Sequence, residues 1–200
     1  MTTLSLPLHW DMDKIIHSLD EYGFSIIPNV YDDLYFDALN RECLSQLDHF
    51  REAGIQNGVI SKIRSDHILW INDTESLAQT HLSTLNLFSE ILNQTFFLGI
   101  KNVEAHFACY HEGEFYALHR DNPQQKNHRI ISTVFYLHRT WHQNLGGQLR
   151  LQDKQMNWHI IEPTPNSLVV FDSNLLHEVL ISKANRLSIT AWLRNDHTLW

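Results

Sequence analysis

The sequence predicts an α+β fold that is mainly β, with helices packed on one face of a β-sandwich or jelly roll. Three observations predict it. Segments of helical period dominate before Gly99, and short strands dominate after it. Turn chemistry recurs at close intervals in the second half, at Gly146–Gly147, Asp153–Lys154 and Pro163–Thr164–Pro165–Asn166. No linker, internal repeat or low-complexity tract interrupts the 200 residues, so one domain spanning 1–200 is expected, with 1–99 giving helical support and the first strands and 100–194 the β core.

The elements follow in order. Residues 13–21 read as a short helix ended by Gly23, and FSIIPNV as a strand stopped at Pro28. A helix is expected from an Asp32 N-cap to about Glu52, with Leu34, Leu39, Cys43, Leu47 and Phe50 near one stripe and Gly54 closing it. Residues 58–73 read as two short strands around a loop at Arg64–Ser65–Asp66. Residues 75–93 form an amphipathic helix with Ala78, Leu82, Leu85, Phe88 and Leu92 on one face. Strands are then expected at 102–110, 115–120, 129–138, 147–152, 157–161, 167–172 and 186–194.

Composition removes several function classes. A net charge of −8 opposes a nonspecific nucleic-acid surface, which needs clustered Lys and Arg. No apolar run approaches the roughly 18 residues a membrane span requires. The start MTTLSLPLHWDMDK lacks the basic region and apolar core of a secretory signal. There are two Cys and no C-x-x-C, which points to a reduced, cytoplasmic setting with Cys43 and Cys109 as small buried hydrophobes.

One constellation carries chemistry. His119, Asp121, His177 and Arg186 make H-x-D, a gap of more than fifty residues, then H, then R nine further on. Two imidazoles and one carboxylate are the facial ligand set of non-haem Fe(II), which leaves positions open for O2 and a co-substrate. A guanidinium soon after the second His suits a distal carboxylate, gripped by two parallel hydrogen bonds. Together they suggest an Fe(II) oxygenase that uses 2-oxoglutarate. H-x-D alone is weak, since roughly one chance match is expected in a chain this rich in His, and His9–Trp10–Asp11 is such a decoy. The second match differs because it lies on an alternating strand, where residues i and i+2 share a face. His106, His111, His128, His138, His142 and His159 lack paired spacing and read as surface or structural histidines.

The stretch ACYHEGEFYALHRDN, then RIISTVFYLHRTW, GGQLRL and IEPTPNSLVVFDSNLLHEVLISKANRLSITAW, resembles the 2-oxoglutarate- and Fe(II)-dependent prolyl hydroxylases. Within them it looks most like the oxygen-sensing HIF prolyl hydroxylases and their bacterial relatives. The Y-x-x-H-x-D-N, Y-L-x(3)-W, G-G-x-L-R and H-E-V-x(6)-R elements occur together over residues 100–194, with a weaker likeness through 13–73. The resemblance implies a distorted double-stranded β-helix (jelly roll) core buttressed by N-terminal helices. It implies His119, Asp121 and His177 as iron ligands, and Arg186 and Tyr136 as partners of the C5 carboxylate of 2-oxoglutarate. Tyr110 and Thr190 would line the co-substrate pocket; Arg64, Asp66, Arg129, Tyr116 and Trp192 would lie on the substrate side. The implied cofactors are Fe(II), 2-oxoglutarate, O2 and ascorbate, and the implied partner is a protein presenting a proline. Leu176 stands where the family often has Pro, and the last strand lies near the chain end, so a C-terminal substrate-holding helix is expected to be absent.

Other readings stay open at this point. Tyr110, Tyr116 and Tyr136 suit core aromatics, Trp192 suits packing, and Arg64 with Asp66 suits a solvated hairpin tip. The scaffold could serve a free amino acid or other small molecule, or persist as a non-catalytic binding module. A nucleic-acid demethylase would carry a second arginine six residues after the anchor, whereas the next here is Arg194, eight on. A zinc hydrolase lacks a candidate catalytic acid or base.

Overall fold

A computed structural model of the protein describes residues 6–53, 63–122 and 128–197. Helix α1 spans Met12–Tyr22; the Asp11 carboxylate accepts from the Lys14 N–H at 3.0 Å, and Gly23, at φ 80°, closes the helix in the left-handed conformation that glycine takes without a Cβ penalty. The Asp11 of the decoy H-x-D is therefore a helix cap. Strand β1, Phe24–Ile27, ends where Pro28 removes a backbone donor. Helix α2 spans Asp33–Ser45 and is capped by Asp32, which accepts from the Tyr35 N–H at 2.9 Å. Helix α3 spans Ala78–Phe96 and buries all five residues of the predicted stripe.

α2 is shorter than the sequence pattern suggests. After Ser45 the chain makes a 3-10 turn at Leu47–His49 and then strand β2, Arg51–Glu52, which pairs with strand β3, His67–Trp70. The ladder claims residues whose apolar spacing continues the helix, a case of tertiary pairing overriding local period. Leu34, read as part of the stripe, is 78% exposed. The expected strand before Arg64 and the Gly54 stop fall largely on residues 54–62, outside the described residues.

The remaining strands are β4 (Asn102–Tyr110), β5 (Tyr116–His119), β6 (Arg129–Tyr136), β7 (Leu149–Gln152), β8 (Trp158–Ile161), β9 (Leu168–Asp172), β10 (His177–Val179) and β11 (Arg186–Arg194). Of these, β10 has no counterpart in the sequence pattern: three residues between turns are too few to display a period. A major sheet has the order β1-β9-β6-β11-β4-β3-β2, and a minor sheet β5-β10-β7-β8; every pairing is antiparallel. This is the two-sheet jelly roll with helices at one face.

The side-chain alternation of strands divides the major sheet into two faces. On β11, Leu187, Ile189, Ala191 and Leu193 join one apolar cluster with Leu39 of α2 and Leu85 and Phe88 of α3. Val134, Tyr136, Val169 and Phe171, on the other face, cluster with Leu149 and Leu151 of the minor sheet. The inter-sheet space holds the polar residues of interest. Among the described residues no helix is long and apolar enough to cross a membrane.

Candidate metal centre

His119 and His177 face one another across the β5–β10 ladder, which pairs them directly. Asp121, just past β5, is fastened to the major side: its N–H donates to the Ser173 carbonyl at 3.1 Å and its carboxylate accepts from the Ser132 hydroxyl at 2.6 Å. The three side chains converge, with ligand atoms all within 4.8 Å of one another. His119 Nε2 lies 3.5 Å and His177 Nε2 3.6 Å from the Asp121 oxygens.

The surroundings prepare these groups for a cation. His119 Nδ1 donates to the Ala117 carbonyl at 2.8 Å and His177 Nδ1 to the Leu175 carbonyl at 3.0 Å. Each Nε2 lone pair is thus left for a metal, the tautomer logic of histidine ligands. Burial and the neighbouring His119 push the His177 pKa down to about 4, so its imidazole is neutral near pH 7, the form that ligates. Burial alone would raise the Asp121 pKa. The imidazoles of His177 and His119 and the Ser132 hydroxyl outweigh it and hold the carboxyl well below the usual range. A buried anion between two imidazoles is what a divalent cation completes.

Arg186 lies deeper, 1% exposed at the start of β11. Its Nε donates to the Gly147 carbonyl at 2.8 Å, and its guanidinium sits 5.0 and 4.9 Å from the Tyr110 and Tyr136 rings. Gly147 is needed for this. At φ 66° it occupies the left-handed region, and a Cβ there would fall 2.9 Å from Arg186 Cδ. Arg186 Nη2 and the Tyr136 hydroxyl are buried with no hydrogen-bond partner. Leaving such groups unmade costs about 1–3 kcal/mol each, more when charged, so the pair fits a carboxylate supplied from outside the chain.

A cavity joins the two features. His119, Asp121, His177, Tyr110, Arg186 and Thr190 line it, with Arg64, Asp66, Tyr116 and Trp192 on its walls. Asp66 is 1% exposed and takes a bidentate pair from Arg64, at 2.7 and 2.6 Å; Arg64 also lies 4.5 Å over the Tyr116 ring. These two residues are thus part of the cavity wall and not a solvated tip. Tyr116 stacks on His119 at 3.6 Å between centroids. Arg129 does not line the cavity. It bonds Glu104 at 2.7 Å and covers the Trp192 ring at 3.5 Å, reaching the site through that indole.

Sequence reasoning missed Ser132, Ser173, His106 and Gly147. Part of the signal was available. Arg186, Ser188, Thr190 and Trp192 alternate on β11, and the ladders set Tyr110, Ala108, His106 and Glu104 beside them on one side and Tyr136, Val134 and Ser132 on the other. Once register is known, His106 and Ser132 must face the cavity.

Comparison with known proteins agrees with this geometry. The profile of the 2OG-Fe(II) oxygenase superfamily matches residues 105–194. A hypoxia-inducible factor prolyl hydroxylase of Caenorhabditis elegans is 29% identical over 94% of this chain, which spans 28% of that protein's length. The Homo sapiens prolyl hydroxylase EGLN3 is 28% identical over 90% of this chain and 82% of its own. Among solved structures, a Pseudomonas putida prolyl-4-hydroxylase is 32% identical, with a TM-score of 0.84 over 92% of this chain and 98% of that one. A Trichoplax adhaerens prolyl hydroxylase, in complex with a hypoxia inducible factor oxygen degradation domain peptide fragment, is 26% identical with the same TM-score over 94% of each chain. With its two-sheet core, its converging His119–Asp121–His177 set and these relatives, the chain belongs to the 2OG-Fe(II) oxygenase superfamily, among its prolyl hydroxylases.

Proposed function

We propose that this chain hydroxylates a prolyl residue of a protein substrate, consuming O2 and 2-oxoglutarate and releasing succinate and CO2. One observation carries the reading. The two imidazoles and the carboxylate of the metal set open into the same cavity as the guanidinium of Arg186, whose Nη2 is buried with no hydrogen-bond partner, and the Tyr136 ring, its hydroxyl also unpartnered, lies 4.9 Å from that guanidinium.

In this reading His119, Asp121 and His177 hold Fe(II), and the metal with its keto-acid partner supplies the oxidising chemistry when bound. The residues supply geometry. Arg186 and Tyr136 take the distal carboxylate of 2-oxoglutarate, while the Tyr110 ring and Gly147 carbonyl keep the guanidinium aimed. A co-substrate with an uncharged tail would leave Arg186 buried and unpaired, which sets selectivity. Thr190 and Tyr110 shape the co-substrate wall; Arg64, Asp66, Tyr116, Trp192 and Arg129 form the side that meets the substrate. Ser132 orients Asp121.

A protein substrate is supported by likeness to the Trichoplax enzyme, whose structure holds a peptide fragment. Ascorbate as the reductant that keeps iron ferrous, and a cytoplasmic setting with Cys43 and Cys109 as thiols, complete the proposal. The chain acts as one domain, a reading supported by the apolar cluster that joins the helices to the major sheet.

The test is turnover with Fe(II), 2-oxoglutarate and ascorbate against proline-containing polypeptides and free proline. Succinate that rises with a polypeptide, together with a one-oxygen mass gain on a prolyl residue, is the expected result. Coupling to free proline alone would replace the protein substrate with a small molecule, and the absence of succinate from iron-loaded protein would overturn the oxygenase reading.

A further inference from the structure

A second group of ligating side chains lies outside the cavity. His67 begins β3, while His111 and Glu114 sit in the turn between β4 and β5. They lie 44 and 47 positions after His67 in sequence, so no spacing motif announces them. In the fold, β3 pairs with β4 so that His67 is opposite Cys109, which brings the turn over it. The His67 and His111 rings approach to 5.0 Å, and the ligand atoms of His67, His111 and Glu114 all lie within 4.8 Å of one another.

Each member is held in a posture that suits ligation. Glu114 accepts the His111 backbone N–H at 2.7 Å through one oxygen and turns the other to 3.2 Å from His67 Nδ1. Asn185 Oδ1 lies 3.0 Å from His111 Nδ1 and accepts its N–H, which leaves Nε2 as the ligating nitrogen, with only the weakly bonding Cys109 Sγ beside it at 3.9 Å. His67 Nδ1 is buried and makes no hydrogen bond. We propose that His67, His111 and Glu114 form a second metal site of the zinc class, separate from the His119–Asp121–His177 set. Two imidazoles and one carboxylate select a borderline transition ion such as Zn2+ over Mg2+ or Ca2+, which take oxygen ligands.

The location gives the site a consequence. His67 directly follows Asp66, the partner of Arg64, and Glu114 lies two residues before Tyr116. The two segments are already laced together by the Ser65 N–H to the Phe115 carbonyl at 3.1 Å and the Ala117 N–H to the Ile63 carbonyl at 2.7 Å. A bound ion ties the strand that follows Arg64 and Asp66 to the turn that leads into Tyr116, fixing one wall of the cavity.

The test uses the full chain carrying His119→Ala and Asp121→Ala, which disables the other set, stripped with chelator and titrated with Zn2+ against a chromophoric competitor. One Zn2+ per chain at micromolar zinc is expected, and Co2+ in its place should give the visible absorption of a tetrahedral nitrogen and oxygen site. His111→Asn and His67→Gln on that background should each abolish the equimolar binding while leaving far-UV circular dichroism and metal-free melting unchanged. His111→Asn, in a turn, decides the matter if His67→Gln is unstable. No equimolar zinc, or zinc retained after His111→Asn, overturns the site. Because the double variant lacks the iron set, failure here leaves the oxygenase reading untouched.

Discussion

β11 carries two chemistries on alternate residues. Leu187, Ile189, Ala191 and Leu193 turn to the helices and pack in a dry core. Arg186, Ser188, Thr190 and Trp192 turn toward the minor sheet, where Arg186 Nη2 and Trp192 Nε1 are buried without partners. The helix-facing residues of β11 are apolar and packed, whereas the cavity-facing ones include polar atoms buried without a partner. A strand that is well held on one face can carry unpaired polar groups on the other, and such groups mark where a ligand belongs. The two faces should therefore fail differently when altered.

The largest effect is expected at the cavity side. Asp121→Ala removes the carboxylate of the ligand set and should abolish succinate release and iron retention while unfolding stays cooperative; undiminished hydroxylation would remove the ligand assignment. Ile189→Ala, one residue from Thr190 but on the dry face, should cost about 2–5 kcal/mol in urea unfolding. It should leave the half-saturating 2-oxoglutarate concentration of the folded enzyme unchanged. Arg186→Ala should raise that concentration roughly 10- to 100-fold, the equivalent of a charged hydrogen bond, with iron affinity little altered. An unchanged 2-oxoglutarate titration would place the anchor elsewhere.

The smallest effect is on pH. His81 stacks on Phe135 at the helix-facing side, and burial pushes its pKa down to about 3 from the ordinary 6.5; burial lowers cavity-lining His106 and nearby His138 to about 4. The native state keeps these imidazoles neutral, so below about pH 6.5 the unfolded chain binds protons that the folded chain refuses. Stability is present above that pH and is lost as pH falls toward 4. Urea midpoints between pH 7 and 4.5 should decline, and His81→Gln should flatten the decline if the dry face contributes to it.

The same division explains what the sequence made legible. The H-x-D pair, the distal His177 and Arg186 stand out because the pair closes an alternating stretch and Arg186 opens a long alternating strand, although Asp121 falls just past β5 and is turned to His119 by Ser173 and Ser132 instead of by strand period. The stripe of α3 is equally plain, since nineteen residues display a helical period well. The pattern over-extends α2 because Leu47 and Phe50 keep its spacing while β3, distant in sequence, recruits Arg51 and Glu52. Ser132 and Ser173 give no local signal. Their hydroxyls meet at 2.8 Å across 41 residues of sequence, and only register brings them to Asp121.

Strand β5 is an edge of the minor sheet, four residues long, while β10 lies inside it. His119 and His177 thus belong to a border strand and an interior one. Holding a common ion would make them a clip across a long loop, the kind of closure that removes most chain freedom. Amide exchange would record this as a local tightening. The Tyr116–His119 amides should slow when the ligands are engaged, while those of β8, the opposite border at Trp158–Ile161, keep their metal-free rates. The sheet then carries its own reference strand, and occupancy of the centre can be followed without any substrate.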